Sequence, residues 1–166
     1  MSETDDADRY AVEAGLDGNL GAALRVAPAD SESGVAVVEH TLPPETLAAP
    51  LHRHENEDEI SYILEGRMGI QADDSVRTVT AGEFAVKERE RWHTFWNPDT
   101  EPLRFLEIVA PGEFASYFEE MAALVPEDGD LDAEVRREIA ELNETYDLAV
   151  KPDSVPDLRE RHGLDG

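Results

Sequence analysis

The stretch Pro50-Leu51-His52-Arg53-His54-Glu55-Asn56-Glu57-Asp58-Glu59, running on through Ile60-Ser61-Tyr62-Ile63-Leu64-Glu65 to Gly66, decides how this chain is read. His52 and His54 are two residues apart, so on a strand both side chains leave from one face. At the usual strand rise their Cα atoms stand about 6.6 Å apart, close enough for two imidazoles to converge on one ion. Helical zinc sites set their histidines four apart instead. Glu59 would face the wrong way in an unbroken strand. The polar segment 55–58 resolves this as a turn, after which Glu59 opens the next strand pointing inward. His93, on the segment from Gly82 to Asn97, comes from another strand. Three imidazoles and a carboxylate are enough to hold one divalent metal and leave coordination positions open. A single histidine would be read as a hydrogen-bonded interior residue; four residues in register favour a metal. Glu57 and Asp58 are spare carboxylates beside the site, either of which replaces Glu59 if the turn runs differently.

Outward from this stretch, short apolar segments alternate with turn residues. They cover 34–42, 47–54, 59–64, 68–72, 76–79, 84–86, 93–97 and 103–109, with breaks at Asp73-Asp74, Ala81-Gly82 and Asn97-Pro98-Asp99. This spacing is that of an all-β sandwich or barrel. Pro111-Gly112 ends the strand region. Phe114, Tyr117, Phe118, Met121 and Leu124 then mark a helix over 113–125, core-facing or lying as a lid over the barrel mouth. Leu131, Val135, Ile139, Leu142 and Tyr146 mark a second over 131–146, with Asp130 as its N-cap. The last twenty residues, with Pro152 and Pro156, read as an extended tail on the surface. The organisation is thus an acidic N-terminal tail over 1–12, a β-barrel over 13–112 and a helical extension over 113–166 packed on the barrel. On the strand after the turn, Glu59, Ser61 and Ile63 share one face and Ile60, Tyr62 and Leu64 the other. Both faces carry apolar residues, so a helix, the N-terminal arm or a second subunit must cover the outer one. A homodimer is the expectation.

The 166 residues suit one domain with a real core, and 40% of them are hydrophobic. The absence of cysteine excludes disulfides, thiolate ligands and a cysteine nucleophile. No basic-then-apolar leader is visible at the start, and no apolar run approaches the ~18 residues of a membrane span, so a soluble cytoplasmic protein is expected. Thirty-nine acids face fourteen bases, for a net charge of −25, and the acids spread along the whole chain. Such self-repulsion destabilises a compact state in dilute buffer and is screened at high salt, which points to a halophilic cytoplasm. A nucleic-acid role is excluded by the lack of a basic surface.

The pattern His52-x-His54-x4-Glu59-x6-Gly66 resembles the first motif of the cupin superfamily in every ligand position. Gly82, His93 and Asn97 are similar to the second motif, although Glu88 and Glu90 stand where that motif has Pro and Gly. Glu57-Asp58-Glu59, Tyr62 to Gly66, Gly82-Glu83-Phe84, His93-Thr94-Phe95 and Ala110-Pro111-Gly112 resemble the single-domain cupins of the quercetin 2,3-dioxygenase-like group. The likeness spans roughly residues 20–125. It implies a jelly-roll β-barrel with a C-terminal two-helix extension, and His52, His54, Glu59 and His93 as ligands of one divalent transition metal (Fe, Mn, Ni, Co or Zn). The implied activity is a dioxygenase acting on an enol or hydroxy-carbonyl small molecule, with Glu59 also accepting a substrate proton. Ser61 and Phe95 are candidates for the substrate pocket. Because cupins host many chemistries, a metal-dependent isomerase of a keto-enol or sugar substrate and a non-catalytic small-molecule-binding module stand as alternatives. Trp92 and Trp96 alternate with the inward residues and pack on the other side, and Arg53 points away from the metal. His40 and His162 have no motif around them and read as structural or exposed.

Overall fold

The computed structural model describes residues 9–15 and 18–165. In chain order the strands are β1 (Ala11–Ala14), β2 (Leu20–Val26), β3 (Ala36–Leu42), β4 (Thr46–Leu47), β5 (Leu51–His54), β6 (Asp58–Glu65), β7 (Arg67–Ala72), β8 (Ser75–Thr80), β9 (Phe84–Lys87), β10 (His93–Asn97), β11 (Leu103–Ala110) and β12 (Leu148–Lys151). One sheet runs β1-β2-β3-β11-β6-β9, the other β12-β5-β10-β7-β8 with β4 beside β10. Neighbouring strands are antiparallel throughout. The two sheets close on each other as a jelly-roll barrel, so the all-β expectation holds.

Alternation of side chains builds the interior. On β11, Leu103, Phe105, Glu107 and Val109 are buried while the residues between them are half-buried; on β3, Ala36, Val38, His40 and Leu42 face in. With Ile63, Met68 and Ile70 they form the core between the sheets. The expected single segment over 47–54 is split into β4 and β5, because Pro50 has no N–H to continue the ladder.

The termini depart from expectation. Residues 1–8 of the expected acidic tail lie outside the described residues, but Ala11 and Val12 already belong to β1, paired with Ala23 and Ala22. In the C-terminal segment a short 3-10 turn leads into α1 (Ser116–Leu124), followed by α2 (Ala133–Thr145). The N-cap of α2 is Asp132, whose carboxylate accepts from the Val135 N–H at 2.9 Å; Asp130 is committed to a tight turn with Asp128. The last twenty residues are not an extended tail, and the extension is more than two helices. Leu148–Lys151 joins the barrel as β12 on β5, and α3 (Val155–His162) follows. Pro156 sits in the first turn of α3, where a missing N–H costs nothing. Leu158 and Leu164 pack against Leu47 and Trp96, and the His162 ring stacks on Trp96 at 3.8 Å. Among the described residues no helix is long and apolar enough to cross a membrane.

The turn leading to His93 accommodates both glutamates. Glu90 adopts φ 65°, the left-handed conformation that glycine takes freely, and its N–H bonds the His54 carbonyl at 2.6 Å. The Arg89 N–H is held by Asp58 at 2.9 Å. Glu90→Gly should therefore stabilise the fold by about 1 kcal/mol, raising the thermal midpoint by about 2–4 °C with metal content unchanged. A lower midpoint in a melting experiment would show that Glu90 contributes more than its backbone.

Candidate metal centre

His52 and His54 stand on β5, His93 on β10 directly opposite His52, and Glu59 on β6 of the other sheet. All four are buried, and one ligand atom from each lies within 4.8 Å of the others. The chain breaks at 55–57, one residue shorter than the expected turn, so that β6 opens at Asp58 and Glu59 faces in. Each imidazole is oriented from behind. The Nδ1 of His52 lies 2.8 Å from the Pro50 carbonyl and that of His93 3.1 Å from the Arg91 carbonyl. A carbonyl only accepts, so Nδ1 carries the proton and Nε2 keeps its lone pair for the interior. The Nε2 of His93 is buried with no hydrogen-bond partner, as an unfilled ligand position would be. His54 presents Nε2 to Glu59 Oε1 at 2.7 Å while Glu57 stands behind its Nδ1 at 3.4 Å. Glu57 therefore backs a ligand, and Asp58 is taken by the Arg89 N–H; neither replaces Glu59. This donor set fits a single divalent metal.

The electrostatics describe what a cation would displace. Burial pushes the His93 imidazole down to about 4 and holds His52 well below its ordinary value, with the neighbouring histidines adding to the effect on His52. Burial acts the same way on His54, but Glu59 and Glu57 outweigh it and lift that imidazole to about 9. Burial works to raise Glu59; His54 and Lys87 prevail and keep its carboxyl well below the usual carboxylate range. One proton thus rests on His54 against Glu59, where a divalent cation would take its place.

A second polar cluster adjoins the first. Glu107 on β11 accepts from Ser61 Oγ and from Lys87 Nζ, each at 2.8 Å on Oε2, while its Oε1 is buried without a partner. Lys87, opposite Glu59 on β9, also lies over the Phe95 ring at 4.6 Å. Burial, with Glu59 adding to it, raises the Glu107 carboxyl to about 7 against the pull of Lys87 and Ser61. His40 is not exposed: its Nδ1 donates to the Gly21 carbonyl at 2.9 Å, and its ring sits between Phe105 and Phe118. Sequence reasoning passed over Glu107 and Lys87, although parity alone puts Glu107 inward beside Phe105 and Val109.

Above the cluster lies a cavity of about 550 Å³, with His52, His54, Glu59, Phe95 and Glu107 in its lining. Phe95 is a wall residue, whereas Ser61 is fully buried and acts by holding Glu107. Phe114 stands edge-on to His54 at 4.5 Å. Arg53 and Lys151 cover Trp92 on the outside of β5 and β10. Asn97 does not reach the site; its amide donates to the carbonyls of Leu42, Pro43 and Glu101.

Residues 38–109 match the family model described as the cupin domain. Three solved structures share the fold. A sugar phosphate isomerase of the cupin superfamily from Silicibacter pomeroyi is 19% identical over 65% of this chain and 74% of that one, with a TM-score of 0.53. A predicted oxalate decarboxylase from Thermotoga maritima is 20% identical over 65% and 97%, with a TM-score of 0.54. The polyketide cyclase RemF from Streptomyces resistomycificus is 26% identical over 66% and 78%, with a TM-score of 0.52. No curated protein matches the chain in sequence.

The His54 proton sets the pH dependence of metal uptake. Below about pH 9 the metal must displace it, so affinity should rise as pH rises toward 9 and level off above. Calorimetry of zinc uptake near neutral pH in buffers of different ionisation enthalpy should register release of about one proton. Elemental analysis should find about one ion per chain, lost in His52→Ala. Uptake independent of pH across this range would contradict the His54–Glu59 arrangement.

Proposed function

We propose that the chain is a metal-dependent enzyme acting on a small molecule with an enol or hydroxy-carbonyl oxygen pair, as a dioxygenase of the quercetinase-like kind. The observation that supports it most is the opening of the four-residue cluster, through His52, His54 and Glu59, into a walled cavity that also holds a second carboxyl group, Glu107. When bound, a divalent ion supplies Lewis acidity and a template for two substrate oxygens. Glu59, released from the metal, would take the proton from a substrate hydroxyl. The open Oε1 of Glu107 offers a hydrogen-bond site to a second oxygen. Phe95 and Phe114 keep water from the reacting atoms. A second reading, proton transfer or ring closure without oxygen, is favoured by the likeness to a polyketide cyclase. A sugar substrate fits less well, because Met121, Ile139, Leu148 and Val150 among the walls offer it no hydrogen bonds.

Oxygen uptake with quercetin or acetylacetone, on protein loaded in turn with Fe, Mn, Ni and Co, tests this. Oxygen consumption matching substrate loss is expected, abolished by His52→Ala and lowered about 100-fold or more in kcat by Glu59→Gln. Substrate loss without oxygen uptake would favour the second reading, and binding without turnover a non-catalytic module.

A homodimer in a salt-rich cytoplasm belongs to the same proposal. Phe84 and Val86 on the edge strand β9 are 58% and 53% exposed, beside Tyr62 and Ile60 on β6, which in turn adjoin Leu106 and Ile108 on β11. These six outward residues carry no charge in a chain with 39 acids among 166 residues. Two copies can meet there without bringing their carboxylates together, once salt screens the rest. Sedimentation in molar KCl should give twice the chain mass, and Phe84→Lys should give the single-chain mass. Folding stability should climb from dilute buffer to molar KCl. A single-chain wild type, or stability indifferent to salt, would refute the corresponding part.

A further inference from the structure

The cavity over the metal cluster is roofed by the C-terminal segment. Its lining passes from His52 and Glu59 past Phe114, Phe118 and Met121 to Ile139 on α2 and Val150 on β12, and ends among α2 and α3. The 13-residue α2 has no buried residue, and Ile139 from its apolar stripe, with Leu131 just before the helix, is half-buried in this lining. A helix normally buries such a stripe in packed side chains; here much of it is turned to a chamber. About 550 Å³ of largely apolar space falls in the size range of small-molecule sites.

Charge at the outer end is of the opposite sign to the protein. Arg136 on α2 and Arg159 on α3 both line the cavity, against one acid there, Asp153. At the inner end the Lys87–Glu107 pair cancels. Arg159 is already engaged within the protein. Arg136 has no ion-pair partner among the described residues, in a chain where acids outnumber bases 39 to 14. Three residues before Ile139, it shares that side of α2. Its neighbour Arg137 does not line the cavity and pairs with Glu141 at 2.9 Å.

We propose that the chamber takes an apolar ring or chain compound carrying one anionic group, with the anion read by Arg136 and the apolar body reaching inward to the metal. This rests on the cavity's being the substrate chamber of the metal centre and narrows the substrate class. An uncharged sugar lacks both features, and a sugar phosphate meets the guanidinium but sets much of its polar surface against largely apolar walls.

Two fluorescent dyes of nearly the same shape separate the parts: anilinonaphthalene sulfonate carries an anion, and N-phenylnaphthylamine does not. On zinc-loaded protein at one fixed salt concentration, both should bind at about one per chain. Arg136→Gln should weaken the sulfonate about tenfold and leave the neutral dye unchanged. Arg137→Gln should change neither, and Ala140→Trp, placed in the cavity wall on α2, should block both. No saturable binding by wild type, equal effects of the two arginine variants, or binding undiminished in Ala140→Trp would each overturn the proposal. Full zinc content without dye binding would refute this ligand class and leave the metal reading intact. Dye binding without oxygen uptake would refute the dioxygenase reading alone.

Discussion

The register of β10 against β5 is the constraint on which the site depends. It sets His93 opposite His52, with ring centroids 4.3 Å apart. A slip of one residue would turn Thr94 inward and remove a ligand, since neighbouring residues face opposite sides. Both ends of β10 are pinned. The Asn97 amide donates to three carbonyls and its oxygen accepts from the Asp99 N–H, fixing the exit. The turn through Glu90 fixes the entry by bonding back to His54, itself a member of the cluster. Thr94 adds a hydrogen bond to the Ala49 carbonyl at 2.6 Å between them. The left-handed conformation of Glu90 is thus tolerated within an otherwise fully committed segment.

The interior and the surface obey different charge rules. Outside, carboxylates exceed bases by far and solvent carries the cost. Inside, each charge has a partner: Glu59 with His54, Glu107 with Lys87. One of only two lysines in the chain is spent in this buried position, which makes Lys87 part of the floor's balance rather than of the surface.

Legibility followed the range of each signal. Strand alternation and the His52-x-His54 spacing are local, and they located the strands from β3 to β11 and the residues of the cluster, but not β1 and β2. Glu107 was legible in principle as the one charge on the inward parity of β11, but it stood inside an apolar run that reads as core. Lys87 was hidden because its meaning lies in pairing with Glu107, twenty residues on and on another strand. The C-terminal strand and α3 were missed because Pro152 and Pro156 look like breakers until a helix start is placed around them, and β12 is a strand only by virtue of its neighbour β5. Asp130 and Asp132 are equal candidates by residue type, and only the fold of the preceding loop chooses between them.

The addition of β12 to β5 has a mechanical consequence. Leu148 lies opposite His54 and Val150 opposite His52, so the strand carrying two cluster residues is laced to the strand that leaves the roof. At that end the roof cannot lift without pulling on the backbone of the cluster. On its other side α2 is tied to α1 by side chains, with Tyr117 donating to Asn143 Oδ1 at 2.7 Å and the Tyr146 ring edge-on to that of Tyr117. Strain applied from the C-terminal side would therefore be felt as a change in ligand geometry.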